Sequence, residues 1–169
     1  NLTFSVFKDV SFLKVSKQFY ISMAVALGIA NALKELQIPK INIKWPNDIL
    51  SERKKIAGIL IENVVKNNTL EGTIIGVGLN INQKFFNDLP NASSMSLITG
   101  VVYDKDEVFY LILKHIQLYL QRLESNFESL KKEYEAKLFR IKKPSTFKTP
   151  NDQIFSGFIE GVTDDGKLK

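Results

Sequence analysis

Two lysines, an amide and a carboxylate lie within twelve positions of one another in this chain: Lys44, Lys55, Asn47 and Asp48. The two lysines carry fixed positive charge, Asp48 can attract an ammonium or accept a proton, and Asn47 offers both an amide donor and an acceptor. Their neighbours are the residues of buried strands. Ile41, Ile43 and Trp45 alternate with Asn42 and Lys44, the period of a half-buried strand. Ile56 to Ile61 is a short apolar run, and Glu52-Arg53-Lys54 reads as a polar turn between the two stretches. A hairpin of this kind gathers all four polar residues. An unpaired ammonium away from water is costly, so lysines in such strands point to an anionic ligand.

The elements that must hold these groups are legible in outline. Residues 16–36 are expected to form a helix, with Phe19, Met23, Leu27, Ala30 and Leu33 recurring at helical intervals and small residues allowing close approach to a sheet. Strands are expected at 41–45, 56–65 and 70–82, the last two joined by a turn at Asn67-Asn68, since Asn tolerates the left-handed conformation. Pro46-Asn47-Asp48 is a turn by composition. Asp104 with Glu107 forms a capping box before a second helix through Leu123, and 127–140 reads as a third, more charged helix. After Lys142-Lys143-Pro144 the pattern changes to short strands, with Asp164-Asp165-Gly166 as a hairpin turn.

Composition narrows the functional classes. There is no cysteine, which excludes disulfides and thiolate metal sites, and no metal cluster is expected. No apolar run reaches the ~18 residues needed to span a bilayer, so no membrane role is expected and the cytoplasm is the default location. The net charge of +5 draws heavily on Lys131, Lys132, Lys137, Arg140, Lys142, Lys143 and Lys148. That cluster lacks interleaved stacking aromatics and is diluted by Glu128, Glu133 and Glu135, so it reads as a solvated surface and DNA is not indicated. His115, the only histidine, has helical spacing among apolar residues and reads as structural.

Three ordered segments carry a family resemblance. Lys44-Trp45-Pro46-Asn47-Asp48-Ile49, then Lys55-Ile56-Ala57-Gly58-Ile59-Leu60-Ile61-Glu62, then Gly76-Val77-Gly78-Leu79-Asn80-Ile81-Asn82 resemble the catalytic domain of biotin–protein ligases. Residues 1–5 and 89–97 agree more weakly, in order and spacing. Gly76-x-Gly78 is not a dinucleotide fingerprint, because Ile81 stands where a third glycine belongs.

The resemblance implies an α+β fold: a mixed, mostly antiparallel sheet packed by helices on one face, followed by the start of a small SH3-like β-barrel. It divides the chain into a catalytic domain over 1–141, N-terminally incomplete, and a partial C-terminal domain over 142–169. The implied activity is that of a ligase that activates biotin with ATP and Mg2+ to biotinyl-5′-AMP. Biotin then passes to one lysine of the biotin carboxyl carrier domain of acetyl-CoA carboxylase or a related carboxylase. Lys55 is implied at the biotin carboxylate and α-phosphate, and Asp48 at the incoming lysine. Lys44 and Asn47 are implied at the phosphates, Asn80 at the adenine, and Ser5, Gly58, Leu60 and Gly78 around biotin. Trp45 is either core or a wall for the bound adenylate. A homodimer stays open.

A lipoate–protein ligase shares the fold and a K-x-N-D motif, but Trp45-Pro46 argues for the biotin branch. A non-catalytic, regulatory relic of the same fold is the rival from another class. The G-R-G-R-x-G-R loop that covers biotin in the family does not occur among these residues. The 169-residue chain by itself is therefore expected to bind biotin poorly and to be close to inactive.

Overall fold

A computed structural model of the chain describes residues 1–149 and 151–169. The first helix, α1 (Phe19–Glu35), explains the architecture best. Most of its residues are fully buried, on every side of the helix. A helix apolar all round must lie between two layers. A short helix, α2 (Met95–Thr99), follows the strands in sequence; α1 meets strands of a sheet on one side and helices α3 (Lys105–Gln121) and α4 (Phe127–Ala136) on the other. The approach to α3 is close enough that a Cβ on Gly28 would stand 2.8 Å from the Ile116 Cα. Only glycine fits there without moving backbone.

The sheet contains β1 (Leu2–Asp9), β2 (Asn42–Lys44), β3 (Asp48–Ser51), β4 (Lys54–Lys66) and β5 (Thr69–Leu79), in the order β1-β5-β4-β3-β2. Every pairing between these strands is antiparallel; parallel contacts are limited to isolated bridges such as Ile43–Leu138 and Lys55–Ala92. One face packs on α1 through Ile43, Ile49, Ala57, Ile59, Ile75, Val77 and Leu79, all buried. Among the described residues no helix covers the other face, where Leu60 and Ile74 are exposed.

The turns follow local chemistry. Asn67 and Asn68 both take positive φ between β4 and β5, as does the Glu52-Arg53 pair between β3 and β4. Asp104 caps α3 by accepting from the Asp106 and Glu107 amides, an arrangement worth about 1 kcal/mol. The sequence pattern did not reveal β3. Ile49, Leu50 and Ser51 follow a Pro-Asn turn too closely to stand out as a strand, yet Ile49 and Leu50 pair with both β2 and β4, and Ser51 with β4. The hairpin expected between 41–45 and 56–61 is therefore a three-stranded meander.

Beyond α4, β6 (Pro144–Lys148) and β7 (Ile154–Phe158) form a two-stranded hairpin with Phe147 stacked on Phe155. Residues 159–169 return to α4, where Val162 is buried in the main core. Among the described residues no helix is long and apolar enough to cross a membrane.

Candidate functional site

The open sheet face collects the candidate residues because register aligns them. Lys44 stands opposite Asp48, Asp48 opposite Gly58, Gly58 opposite Gly78, and Gly78 opposite Thr3. In the next row toward the far end, Leu60 stands opposite Gly76 and Gly76 opposite Ser5. Side chains at paired positions share a face. The two rows therefore make a floor of glycine backbone, edged by Ser5 and a largely exposed Leu60. A Cβ on Gly78 would meet nothing within 4 Å. The floor is flat and empty there.

Lys55 reaches this face through an irregularity. Strict alternation would put it on the same side as Ala57 and Ile59, which are buried. The register shifts between Ile49 and Leu50, so Leu50 pairs with Lys55 and Ile56 becomes the extra residue. A bulge of this type re-aims a side chain. Ile56 enters the core, and the Lys55 Nζ comes 2.5 Å from Asp48 Oδ1 on the open side. Neither lysine is buried: Lys44 is exposed, and the Lys55 side chain keeps about half its surface at 47%. The initial inference from burial therefore does not apply to them. What marks the pair is convergence.

Lys44, Asp48, Lys55 and Asn80 line one cleft of about 590 Å³. Three cations, Lys44, Arg53 and Lys55, face a single carboxylate, Asp48. Such a lining favours an anion. Its far wall is the segment 89–92, clipped to the β4 entry by Lys55 N–H to the Asn91 carbonyl and Ser93 N–H to the Lys55 carbonyl. The Lys54 Nζ adds a bond to the Pro90 carbonyl. Asn80 donates one amide hydrogen to the Ser93 carbonyl at 3.0 Å, which fixes its plane and leaves its oxygen and second hydrogen for a ligand.

Two candidates lie apart from this set. Asn47 donates its amide to the Ile59 carbonyl at 2.9 Å and lines a smaller cleft with Phe19, Ser22 and Leu60. Trp45 packs against the core and donates its indole N–H to the Gly166 carbonyl at 2.8 Å.

Sequence reasoning missed Arg53, Gln83, Phe86 and Phe139 as lining residues. Arg53 had passed as part of a polar turn. Residues 89–92 belong to the weaker part of the resemblance, which implies no role for them. Phe139 enters because its N–H bonds the Ile43 carbonyl across the sheet edge, a contact with no local signature. His115 pairs with Glu35 at 2.8 Å between α3 and α1, far from the cleft.

A sequence profile of the biotin/lipoate A/B protein ligase family matches residues 1–80, which contain β1 to β5 and the glycine floor. The bifunctional ligase/repressor BirA of Bacillus subtilis is 30% identical over 154 residues, covering 88% of this chain and 47% of that protein. Over those residues the chain is similar to members of the biotin/lipoate A/B protein ligase family. Another member, the biotin–[acetyl-CoA-carboxylase] ligase of Mycobacterium tuberculosis, is 25% identical over 152 residues, 88% of this chain and 55% of that one. The chain thus spans about half the length of the curated relatives it matches. A solved structure, the biotin protein ligase of Aquifex aeolicus in complex with biotin and ATP, superposes with a TM-score of 0.79 at 27% identity. It covers 99% of this chain and 69% of that one. The family fold is the fold described above.

Proposed function

We propose that this chain is the catalytic part of a biotin–protein ligase. The observation that carries the proposal is the union of a cationic cleft and a bare glycine floor on one sheet face, supported by the likeness to a ligase solved with biotin and ATP. A fused bicyclic ring needs a flat, close surface, and Gly58 and Gly78 offer one. Its valerate carboxylate and the α-phosphate of ATP are both anions, so their meeting point needs positive charge. Lys55 stands at the junction of floor and cleft, within 3.5 Å of where a Gly58 Cβ would be.

In the first half-reaction a carboxylate oxygen of biotin attacks the α-phosphorus. A phosphorus–oxygen bond forms as the bond to pyrophosphate breaks, giving biotinyl-5′-AMP. Lys55 and Lys44 reduce repulsion between the reactants and stabilise the charge on the transferring phosphorus. Asn80 reads the adenine edge, and Phe86 offers a ring beside it. Mg2+ would enter with ATP to hold the polyphosphate. Asp48 is the only carboxylate in the lining, and no group of three or more acidic or histidine ligands exists among the described residues. That donor set fits an ion brought by the nucleotide.

In the second half-reaction the carrier lysine gives up its ammonium proton to solvent and its neutral amine attacks the acyl carbon; the amide bond forms as the acyl–phosphate bond breaks, AMP leaves, and the remaining amine proton passes to solvent. Asp48 attracts the incoming ammonium and orients it. Orientation of that ammonium is its main role. The natural acceptor on this reading is the biotin carboxyl carrier domain of a carboxylase, in the cytoplasm. Asn47 at the polyphosphate, the boundary at 141/142, an SH3-like identity for 142–169 and a homodimer belong to the same proposal.

The test uses the complete gene product with ATP, a carrier domain and labelled biotin or lipoate. Label transferred from biotin and not from lipoate is the expected result. Transfer of lipoate would move the chain to the lipoate branch, and no transfer of either, with ATP bound, would make it a non-catalytic member.

A further inference from the structure

The turn at 163–167 lies more than a hundred residues along the chain from Lys44 and Asp48, yet it touches the hairpin that carries them. We infer that this turn is a positioning element for the adenylation site and acts through Trp45; the inference rests on the ligase reading above. Lys44 and Asp48 are the closing pair of the β2–β3 hairpin, and Trp45-Pro46-Asn47 is its tip. The tip has two anchors. Asn47 holds it to β4 through the Ile59 carbonyl, and Trp45 holds it to the Gly166 carbonyl at 2.8 Å.

The second anchor is itself built with care. Asp164 accepts from Lys131 at 2.7 Å, from Lys17, and from the Tyr20 hydroxyl at 3.1 Å. Those donors come from α4, the turn before α1, and α1 itself. The Val162 N–H donates to Glu135 Oε1 at 3.0 Å. Gly166, at φ +91°, lies so near Phe19 that a Cβ would stand 2.5 Å from its ring. The carbonyl facing Trp45 is thus fixed from three sides, and it transmits the placement of two helices to the hairpin tip. Losing this restraint frees one side of the tip, and the Lys44 and Asp48 side chains lose their alignment with each other. Biotin's floor at Gly58 and Gly78 belongs to other strands and is untouched.

The test is Asp164→Asn, which keeps shape, removes charge and leaves every cleft residue intact, together with Trp45→Phe, which keeps the ring and removes the N–H. Trp45 is the only tryptophan of the chain, so its emission reports the contact directly. In the 169-residue chain, Asp164→Asn should shift Trp45 emission to the red and increase its quenching by acrylamide. In the complete gene product, each variant should lower kcat of biotin-dependent ATP–pyrophosphate exchange on the order of ten- to a hundredfold, the scale of a small misplacement. Biotin KM should hold. The double variant should be no slower than the worse single, because both cut one link. Emission in Asp164→Asn equal to wild type would overturn the coupling whatever the activity. Additive losses, or losses matched by a parallel rise in biotin KM, would overturn the positioning role. A wild type without exchange but with clamp-sensitive emission would refute the ligase reading and leave the mechanical link standing.

Discussion

Replacing Gly78 by alanine should separate binding from folding. Gly78 lies in β5 on the open face, and an added methyl there would meet no atom within 4 Å. The folded protein therefore gains a side chain at no steric cost. A strand glycine also gives up more chain entropy on folding than alanine does, so Gly78→Ala should leave stability unchanged or raise it by up to about 1 kcal/mol. Binding should respond in the opposite direction. The methyl rises from the floor on which the bicyclic ring is proposed to lie, and lifts the ring by roughly a carbon–carbon bond length. Overpacking of this kind costs about 1–3 kcal/mol, which at ~1.4 kcal/mol per tenfold corresponds to about 5- to 150-fold in Kd. Gly28→Ala is the converse control. Its methyl would meet the Ile116 backbone at 2.8 Å, so α1 and α3 must part and the melting temperature must fall, while the floor is unaltered. Calorimetric titration with biotin and thermal melts of both variants, in the complete gene product, give the comparison. Unchanged biotin affinity in a well-folded Gly78→Ala protein would refute the assignment of the glycine floor to biotin.

Lys55→Ala should slow adenylate formation by on the order of 10²-fold or more, the scale for one electrostatic donor, with its melt little changed; normal pyrophosphate exchange in that variant would remove Lys55 from the chemistry. Asp48→Asn should slow transfer from preformed biotinyl-5′-AMP to the carrier more than it slows adenylate formation, and equal loss in single-turnover measurements of both steps would assign Asp48 to the ATP side. Asp164 gives a pH signature: hydrogen bonds from Lys131, Lys17 and Tyr20 hold its carboxyl well below the usual carboxylate range. A depressed native pKa contributes stability that is complete above the unfolded value of ~4 and is lost as pH falls toward the native one. The melting-temperature gap between wild type and Asp164→Asn should therefore be widest near neutrality and close below pH 4. With half its side chain in solvent the gap should be modest and should shrink in high salt, and a gap that widens in acid would show that another group controls it.

Much of the scaffold follows from short stretches of sequence, because its signals are local. The Asn67-Asn68 turn, the Asp104 cap and the helical spacing from Phe19 to Leu33 each depend on residues a few positions apart, and each element formed where its pattern lies. The alternation that set Lys44 opposite Ile43 likewise held, since a strand's period is a property of its own backbone. The orientation of Lys55 was not available in this way. By parity it belongs with Ala57 on the buried face, and only the pairing of β3 with β4, through a bulge that sends Ile56 inward, turns it toward Asp48. Trp45 stood undecided between core and cleft until its N–H met the Gly166 carbonyl, 121 residues along the chain. Phe139 and the 89–92 wall reach the cleft by backbone bonds to Ile43 and Lys55. Sequence by itself determined which residues carry the charge and most of the segments that form strands and helices, though not β3. Which of those charges share one cleft was decided by register and by long-range hydrogen bonds, whose partners are fixed only when the whole core closes.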